Sequence, residues 1–362
     1  MIETKTTAIE ETTAATLPSR AYAAPGAGAK LAPWNFERRA VGQHDVLLEI
    51  QYCGVCHTDI HFVNNDLGIS LYPLVPGHEI VGVITKVGGH VKKFKEGDIV
   101  GVGCLVESCR ECANCKEGEE QYCLNGAVYT YSGIEKETGN VTQGGYSNQV
   151  VVNEDFVLHV SDKLPLSKVA PLLCAGITTY SPLRRWKIGK DQKVAIVGLG
   201  GLGHMAIKFA VSMGADVTLL STSPSKEQDA LHLGAHQFVL TTNEENEKNL
   251  AGTFDFILDT VSSAHDLNPY LAMLKTHGTL VCLGIDPTPA QIAVVGMVFT
   301  GRTLAGSLIG GIAETQEMLD YCAEHNITSD VEMIEMKDIN QAYERMLRRD
   351  VKYRFVIDMA TL

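Results

Sequence analysis

The sequence predicts an α/β protein of two domains, one β-rich and one built on a doubly wound parallel sheet. Three observations predict it. Short Val/Ile/Gly-rich segments bounded by turn residues fill the stretch from about Asp45 to Gly103. After Pro165 the pattern changes to strands alternating with helical stretches, which right-handed crossovers wind into an open parallel sheet. The chain has 362 residues, enough for about two separate cores.

Taken in order, residues 1–20 are rich in Thr, Ala and Glu, follow neither the helical nor the strand period, and are expected to form a disordered surface extension. Strands are expected at Val46 to Tyr52, Ile80 to Val87 and Asp98 to Val102, and again over Gly144 to Val152 after a cysteine-rich loop. In the second region Lys193 to Val197 reads as a short buried strand, Gly203 to Met213 as an amphipathic helix, and Ala215 to Leu220 as the next strand. Further strands are expected at Gln237 to Leu240, Phe254 to Asp259, Thr279 to Leu283 and Thr303 to Ala305, with helices at Lys226 to Leu233 and Leu267 to Leu274. The end of the chain should carry helices at Glu314 to His325 and Ile339 to Leu347, and a strand at Lys352 to Asp358.

Composition narrows the function. Ten cysteines are too few for a disulfide scaffold of this size, and no secretory apolar region follows Met1, so a cytoplasmic location is expected. No apolar run approaches the roughly 20 residues that span a bilayer. A net charge of −13 without any basic block argues against nucleic acid as a partner.

Cys109, Cys112, Cys115 and Cys123 lie within one short run, and four thiolates so close in sequence point to a shared metal. A closed set of four cysteines is the usual structural zinc site. An iron–sulfur cluster is the rival, but its signature wants a short last gap followed by proline, whereas seven residues separate Cys115 from Cys123 and Leu124 follows. Disulfides would need an oxidising compartment.

Gly198-Leu-Gly-Gly-Leu-Gly203 falls directly between a strand and a helix, the setting in which this spacing binds a dinucleotide on a Rossmann fold. Gly198 would permit the turn, Gly200 a close approach of backbone to the pyrophosphate, and Gly203 tight packing of helix on strand, with Gly201 and Leu202 completing the turn. The helix N-terminus would supply free N–H groups for the phosphates. At the end of the second strand, where an NAD site carries a carboxylate, the chain has Ser221, Thr222, Ser223 and Lys226. These groups can donate to a 2′-phosphate that a carboxylate would repel, which favours NADP(H). The plain alternative is a solvated Lys226.

The remaining chemistry-bearing segments are scattered: Cys53-Gly-Val-Cys-His-Thr-Asp-Ile-His61, Gly77-His-Glu79 and Cys174-Ala-Gly176. Singly, each reads as ordinary packing. Their order, with the cysteine loop and the glycine motif, resembles that of zinc-dependent medium-chain alcohol dehydrogenases, from about Arg20 to Leu362. Within that superfamily the chain is most similar to the cinnamyl alcohol dehydrogenase branch, especially broad-specificity bacterial NADPH-dependent aldehyde reductases. The closer match lies in Cys104-Leu-Val-Glu-Ser-Cys109, Ala170 to Tyr180 and Asp350 to Asp358.

The resemblance implies a GroES-like catalytic domain over residues 1–172 and 311–362 and a Rossmann domain over 173–310. It implies Cys56, His78 and Cys174 as ligands of a catalytic zinc, with Glu79 as an acidic neighbour able to exchange, giving two zinc ions per chain. Cys53 would only pack. Asp59 would accept from the free ring nitrogen of His78, and His57 would lie near the pyrophosphate. Zinc would polarise an aldehyde carbonyl for hydride transfer from NADPH, and Thr58 and His61 would relay the proton through the nicotinamide ribose. A homodimer or larger assembly is implied, with the sheet extended near Thr303 to Leu308. Two other readings stand beside this one: 1,4-reduction of activated C=C bonds on the same fold, and a non-catalytic NADPH sensor. The intact ligand set argues against both, and the physiological aldehyde or alcohol is not encoded in any spacing.

Overall fold

The computed structural model describes residues 16–286 and 288–362, so the extension expected over residues 1–20 lies outside them up to position 15. Its last part is ordered. Strand β1 (Leu17–Ala23) pairs antiparallel with β2 (Ala32–Arg38), and Arg20 donates its backbone N–H to the Asn148 side chain at 2.8 Å. Alanine and serine take the inward positions of β1, so its alternation lacks the large apolar residues that mark a strand in sequence.

The β-rich region follows the expected segments closely. Strand β3 (Asp45–Gly54) is the hub, pairing antiparallel with β4 (Ile80–Val87), while helix α1 (His57–Asn64) leaves its end. Next come β5 (Ile99–Val102), β6 (Leu105–Glu107), the short helix α2 (Ala113–Lys116) within the cysteine loop, and β7 (Val128–Tyr129). The strand expected over Gly144 to Val152 is shorter, β8 (Gln149–Asn153), because Gly144 and Gly145 form a turn against Pro76 and Gly77. A methyl group on Gly145 would meet Cys53 Sγ at 2.9 Å, so only glycine allows this approach. Cys53 is fully buried at that contact, with burial pushing its thiol well up, as a packing residue requires. Strand β9 (Leu158–His159) closes this edge.

Two helices, α3 (Leu166–Val169) and α4 (Ala175–Arg185), lead to the second sheet. There β10 (Lys193–Val197), α5 (Gly203–Ser212), β11 (Asp216–Ser221), α6 (Glu227–His232), β12 (Gln237–Leu240), α7 (Glu244–Asn249), β13 (Phe254–Asp259), α8 (Asn268–Met273), β14 (Leu274–Cys282), α9 (Val294–Thr300) and β15 (Thr303–Gly306) alternate. All pairings are parallel, in the order β12-β11-β10-β13-β14-β15. The order reverses between β10 and β13, and that crevice at the strand ends is where doubly wound sheets bind ligands. The chain then returns through α10 (Ile312–His325), β16 (Val331–Glu335), α11 (Ile339–Leu347) and β17 (Arg354–Asp358). Strand β17 pairs with β3, in the seven-stranded sheet β16-β17-β3-β4-β5-β9 with β8 also on β3. Val55 donates to the Phe355 carbonyl at 2.9 Å, so the last strand of the chain runs beside the segment leading to Cys56. Among the described residues no helix is long and apolar enough to cross a membrane.

Candidate active site

Cys56 ends the β3 segment as the N-cap of α1, His78 and Glu79 immediately precede β4, and Cys174 caps α4. Packing of these elements brings four ligand atoms, one from each residue, within 4.8 Å of one another, all buried. The Cys56 and Cys174 sulfurs are 3.8 Å apart. Their contact holds the Cys56 thiol well below the usual range, while Cys174 is held well above it by Cys104 and Cys56. His78 Nε2 is buried without any hydrogen-bond partner, as is Glu79 Oε2. Unpartnered buried nitrogen and oxygen are costly in an apolar interior. Two sulfurs, one imidazole and one carboxylate around such orphaned atoms fit zinc well.

The surroundings depart from the sequence reading in one detail. Asp59 Oδ1 is 3.6 Å from His78 Nδ1, beyond hydrogen-bond reach, and the Tyr131 hydroxyl lies at 3.1 Å from that nitrogen. With Nε2 left for a metal, Nδ1 carries the proton and donates to Tyr131. Asp59 is buried and accepts from the Cys56 and Gly77 backbone N–H groups at 2.9 and 3.2 Å and from the Tyr146 hydroxyl at 3.0 Å. It therefore anchors both ligand-bearing segments, and its link to His78 runs through Tyr131. Sequence reasoning also missed Arg354, which forms a buried ion pair with Glu79. Burial pushes Glu79 up to about 8 although Arg354 pulls the other way. An arginine between Tyr353 and the apolar run Phe355-Val-Ile was the available signal, since a buried charge needs a partner. Cys104 is a second omission, a half-buried thiol beside Cys174 and His78, held down to about 6 chiefly by its bond with Cys174.

Thr58 and His61 lie three residues apart on one face of α1. Thr58 Oγ1 is 3.5 Å from Cys56 Sγ. His61 Nδ1 sits 2.8 Å from Asp66 Oδ2, and its Nε2 is buried without a partner. The His57 ring lies 4.9 Å from that of His61, and burial together with His61 lowers its pKa, so it stands as a neutral ring near neutral pH.

The glycine turn joins β10 to α5 at the crevice between β10 and β13. Gly198 has φ +86°, a methyl on Gly203 would run into the Gly198 carbonyl, and one on Gly200 would meet nothing within 4 Å. The three glycines thus divide into a turn, a close packing contact and an open cradle, which fits a dinucleotide. A methyl on Gly201 would lie 2.7 Å from Arg354 Cδ, so the turn and the metal cluster share the arginine; Leu202 caps α5. Behind the turn His204 is fully buried, bonded to the Gly200 carbonyl and to Ser329 Oγ at 3.2 and 3.1 Å. At the end of β11 Ser221 Oγ accepts from the Ser223 N–H at 3.1 Å, with Thr222 exposed and Lys226 half-buried beyond it.

The sulfurs of Cys109, Cys112, Cys115 and Cys123 also lie within 4.8 Å of one another. Backbone N–H groups of Cys109, Cys112 and Leu124 donate to Cys123, Cys109 and Cys112 sulfurs, each at 3.4 Å. Backbone N–H groups of Glu111 and Cys112 hold the Cys109 thiol down to about 6. Thiolates stabilised in this way fit a closed four-sulfur zinc site.

Residues 42–162 match the family model of the alcohol dehydrogenase GroES-like domain, and residues 201–324 that of zinc-binding dehydrogenases. The NADP-dependent alcohol dehydrogenase C 1 of Mycolicibacterium smegmatis is 54% identical over 94% of this chain and 98% of its own length. The chain belongs to the zinc-binding medium-chain alcohol dehydrogenase family. Another relative of this alcohol dehydrogenase, a probable formaldehyde dehydrogenase of Bacillus subtilis, is 50% identical over 95% of this chain and 98% of its own. Among solved structures, a cinnamyl alcohol dehydrogenase of Sorghum bicolor superimposes with a TM-score of 0.93 at 44% identity, covering 95% of this chain and 98% of the other. The CAD of Helicobacter pylori complexed with NADP(H) does so with 0.90 at 44% identity, covering 96% and 99%.

Proposed function

We propose that this alcohol dehydrogenase is a zinc-dependent, NADPH-preferring reductase of aldehydes to primary alcohols, acting reversibly on several aldehydes. The observation that carries the reading is the buried Cys56, His78, Glu79 and Cys174 cluster with His78 Nε2 unpartnered, joined through Arg354 to the glycine turn. Cys56, His78 and Cys174 would hold the catalytic zinc, with Glu79 as an exchangeable fourth ligand, and the four-cysteine loop would hold the structural one. Ser221, Thr222, Ser223 and Lys226 would receive the 2′-phosphate. When bound, zinc acts as a Lewis acid on the carbonyl and NADPH supplies the hydride. The chain's own residues manage the proton. Thr58 lies beside the metal cluster, His61 is on the same helix face with a free Nε2, and Asp66 at 2.8 Å orients the His61 ring and opens toward solvent. Asp59 and Tyr131 fix the His78 ring in the tautomer that presents Nε2.

On this reading residues 1–172 with 311–362 form the catalytic domain and residues 173–310 the cofactor domain, with the metal cluster between their sheets. A homodimer is supported by α9, whose Val298 and Phe299 are 73% and 85% exposed and which leads through Gly301 into the edge strand β15. The location is cytoplasmic, where free thiols persist.

The test is to follow NADPH oxidation by the purified protein with short aliphatic, branched and aromatic aldehydes, and to identify the product formed from an α,β-unsaturated one. The reading expects aldehyde-dependent oxidation and the unsaturated alcohol. A saturated aldehyde as product would replace it with 1,4-reduction, and no oxidation with any aldehyde would leave only a binding protein.

A further inference from the structure

Lys226 is the cation assigned to the 2′-phosphate, yet a carboxylate stands beside it. Asp229 follows three residues later, so the two share a face where helix α6 begins. A carboxylate beside the cation that receives a 2′-phosphate would repel that phosphate. The chain's last segment supplies a countercharge. Lys352 Nζ lies 2.8 Å from each carboxylate oxygen of Asp229, across 123 residues of sequence. The next residue, Tyr353, is buried and presents its ring to Lys226 Nζ at 5.7 Å from the centroid. The same ring stacks on His204 at 5.0 Å and 17° directly behind the glycine turn, and its hydroxyl bonds the Asp229 carboxylate. The segment just before β17 thus touches both members of the pair on α6 and the first turn of α5.

We infer that Lys352 masks Asp229, and that the Lys352–Tyr353 segment thereby completes the 2′-phosphate subsite from outside the sheet that carries the cofactor. This rests on the NADPH reading above. Lys352 is 65% exposed and Asp229 22%, so the pair is worth little to folding. Its consequence is local. With the mask in place the phosphate meets Lys226 and the hydroxyls of Ser221 to Ser223 without net repulsion. Without it, the charge of Asp229, still bonded by the Tyr353 hydroxyl but no longer countered by Lys352, bears on the same subsite. Tyr353 restricts Lys226 by a cation–π contact, so the ammonium is already ordered when phosphate arrives.

The experiment measures dissociation constants of NADPH and NADH by fluorescence titration for the parent, Lys352→Ala, Asp229→Asn and the double variant. The parent should bind NADPH more tightly than NADH; equal affinities would refute the NADPH reading itself, before any variant is considered. Given that preference, Lys352→Ala should weaken NADPH binding about 3- to 10-fold and leave NADH unchanged, the scale of one partly exposed charge acting on another. Asp229→Asn in the Lys352→Ala background should restore NADPH affinity. Equal losses for both cofactors, or no loss, would overturn the inference, as would failure of the double variant to recover, which would mean that Lys352 contacts phosphate itself. Should Lys352→Ala not fold, Asp229→Asn alone decides: it should bind NADPH as tightly as the parent or tighter, and a selective loss of NADPH affinity would overturn the masking role.

Discussion

Thr58, His61 and His204 illustrate how single side chains in this enzyme are set by position. Thr58 and His61 share one face of α1 and Thr58 lies against Cys56 of the metal cluster, so Thr58→Ala should lower turnover by about 10²- to 10⁴-fold while zinc and NADPH stay bound. His61→Ala should cost less if water replaces the imidazole, and full turnover in Thr58→Ala would show another proton path. His204 makes a prediction of the opposite kind. Burial, followed by the charge of Lys208, holds its pKa down to about 3. Its folded-state pKa is thus below the unfolded value of about 6.5, so the unfolded chain takes the proton first. The contribution of His204 is complete above pH 6.5 and is lost as pH falls toward 3. Across that window the parent should lose stability more steeply than His204→Gln, by up to about 1.4 kcal/mol per pH unit, in denaturant titrations at pH 7, 6 and 5. Parallel slopes would contradict this. At this scale the ligand types and the three glycines were legible because each carries chemistry in its own identity. Arg354, Tyr131 and Cys104 were not, because their meaning lies in partners 275, 53 and 70 residues away: Glu79, His78 and Cys174.

Elements that bury one continuous apolar face were read nearly to the residue. Lys193–Val197 and Phe254–Asp259 coincide with their expected limits, since a parallel strand covered on both faces leaves a short, mostly apolar run; Gln237–Leu240 also coincides, although it is the half-buried edge strand of that sheet. Strand β1 escaped notice because alanine and serine fill its inward positions, and β16 because it is an edge strand, V-E-M-I-E, none of whose residues is buried. Helix α4 holds Ile177, Thr178, Thr179 and an internal Pro182, a poor helical sequence that tertiary burial overrides. The cysteine loop has α2, one turn of helix, a single 3₁₀ turn at Glu120–Tyr122 and two short flanking strands to hold its shape, so metal must supply most of its stability. Cys109→Ser should therefore lose one zinc of two by elemental analysis and lower the melting temperature by roughly 5 °C or more. An unchanged melting temperature would remove the structural role.

The whole molecule depends on a return path: the chain crosses from the first sheet to the second and comes back, so that β17 pairs with β3 and Arg354 reaches both Glu79 and Gly201. The alternation of strands and helices foretold the second, parallel sheet, but not its strand order or this junction, because pairing across about 300 residues leaves no local period. The exposed face of α9 carries a prediction at the same scale. Phe299→Asp should turn a dimer into monomers in sedimentation or light scattering, and a monomeric parent would contradict the assembly. The central claim is that Cys56, His78 and Cys174 form the centre at which aldehyde is reduced by NADPH. Aldehyde-dependent NADPH oxidation, measured side by side for the parent and Cys56→Ser, tests it most directly. The account predicts turnover in the parent with two zinc ions per chain, and in Cys56→Ser a folded protein that binds NADPH, keeps the structural zinc and does not turn over. Turnover by Cys56→Ser at the parent rate would contradict it.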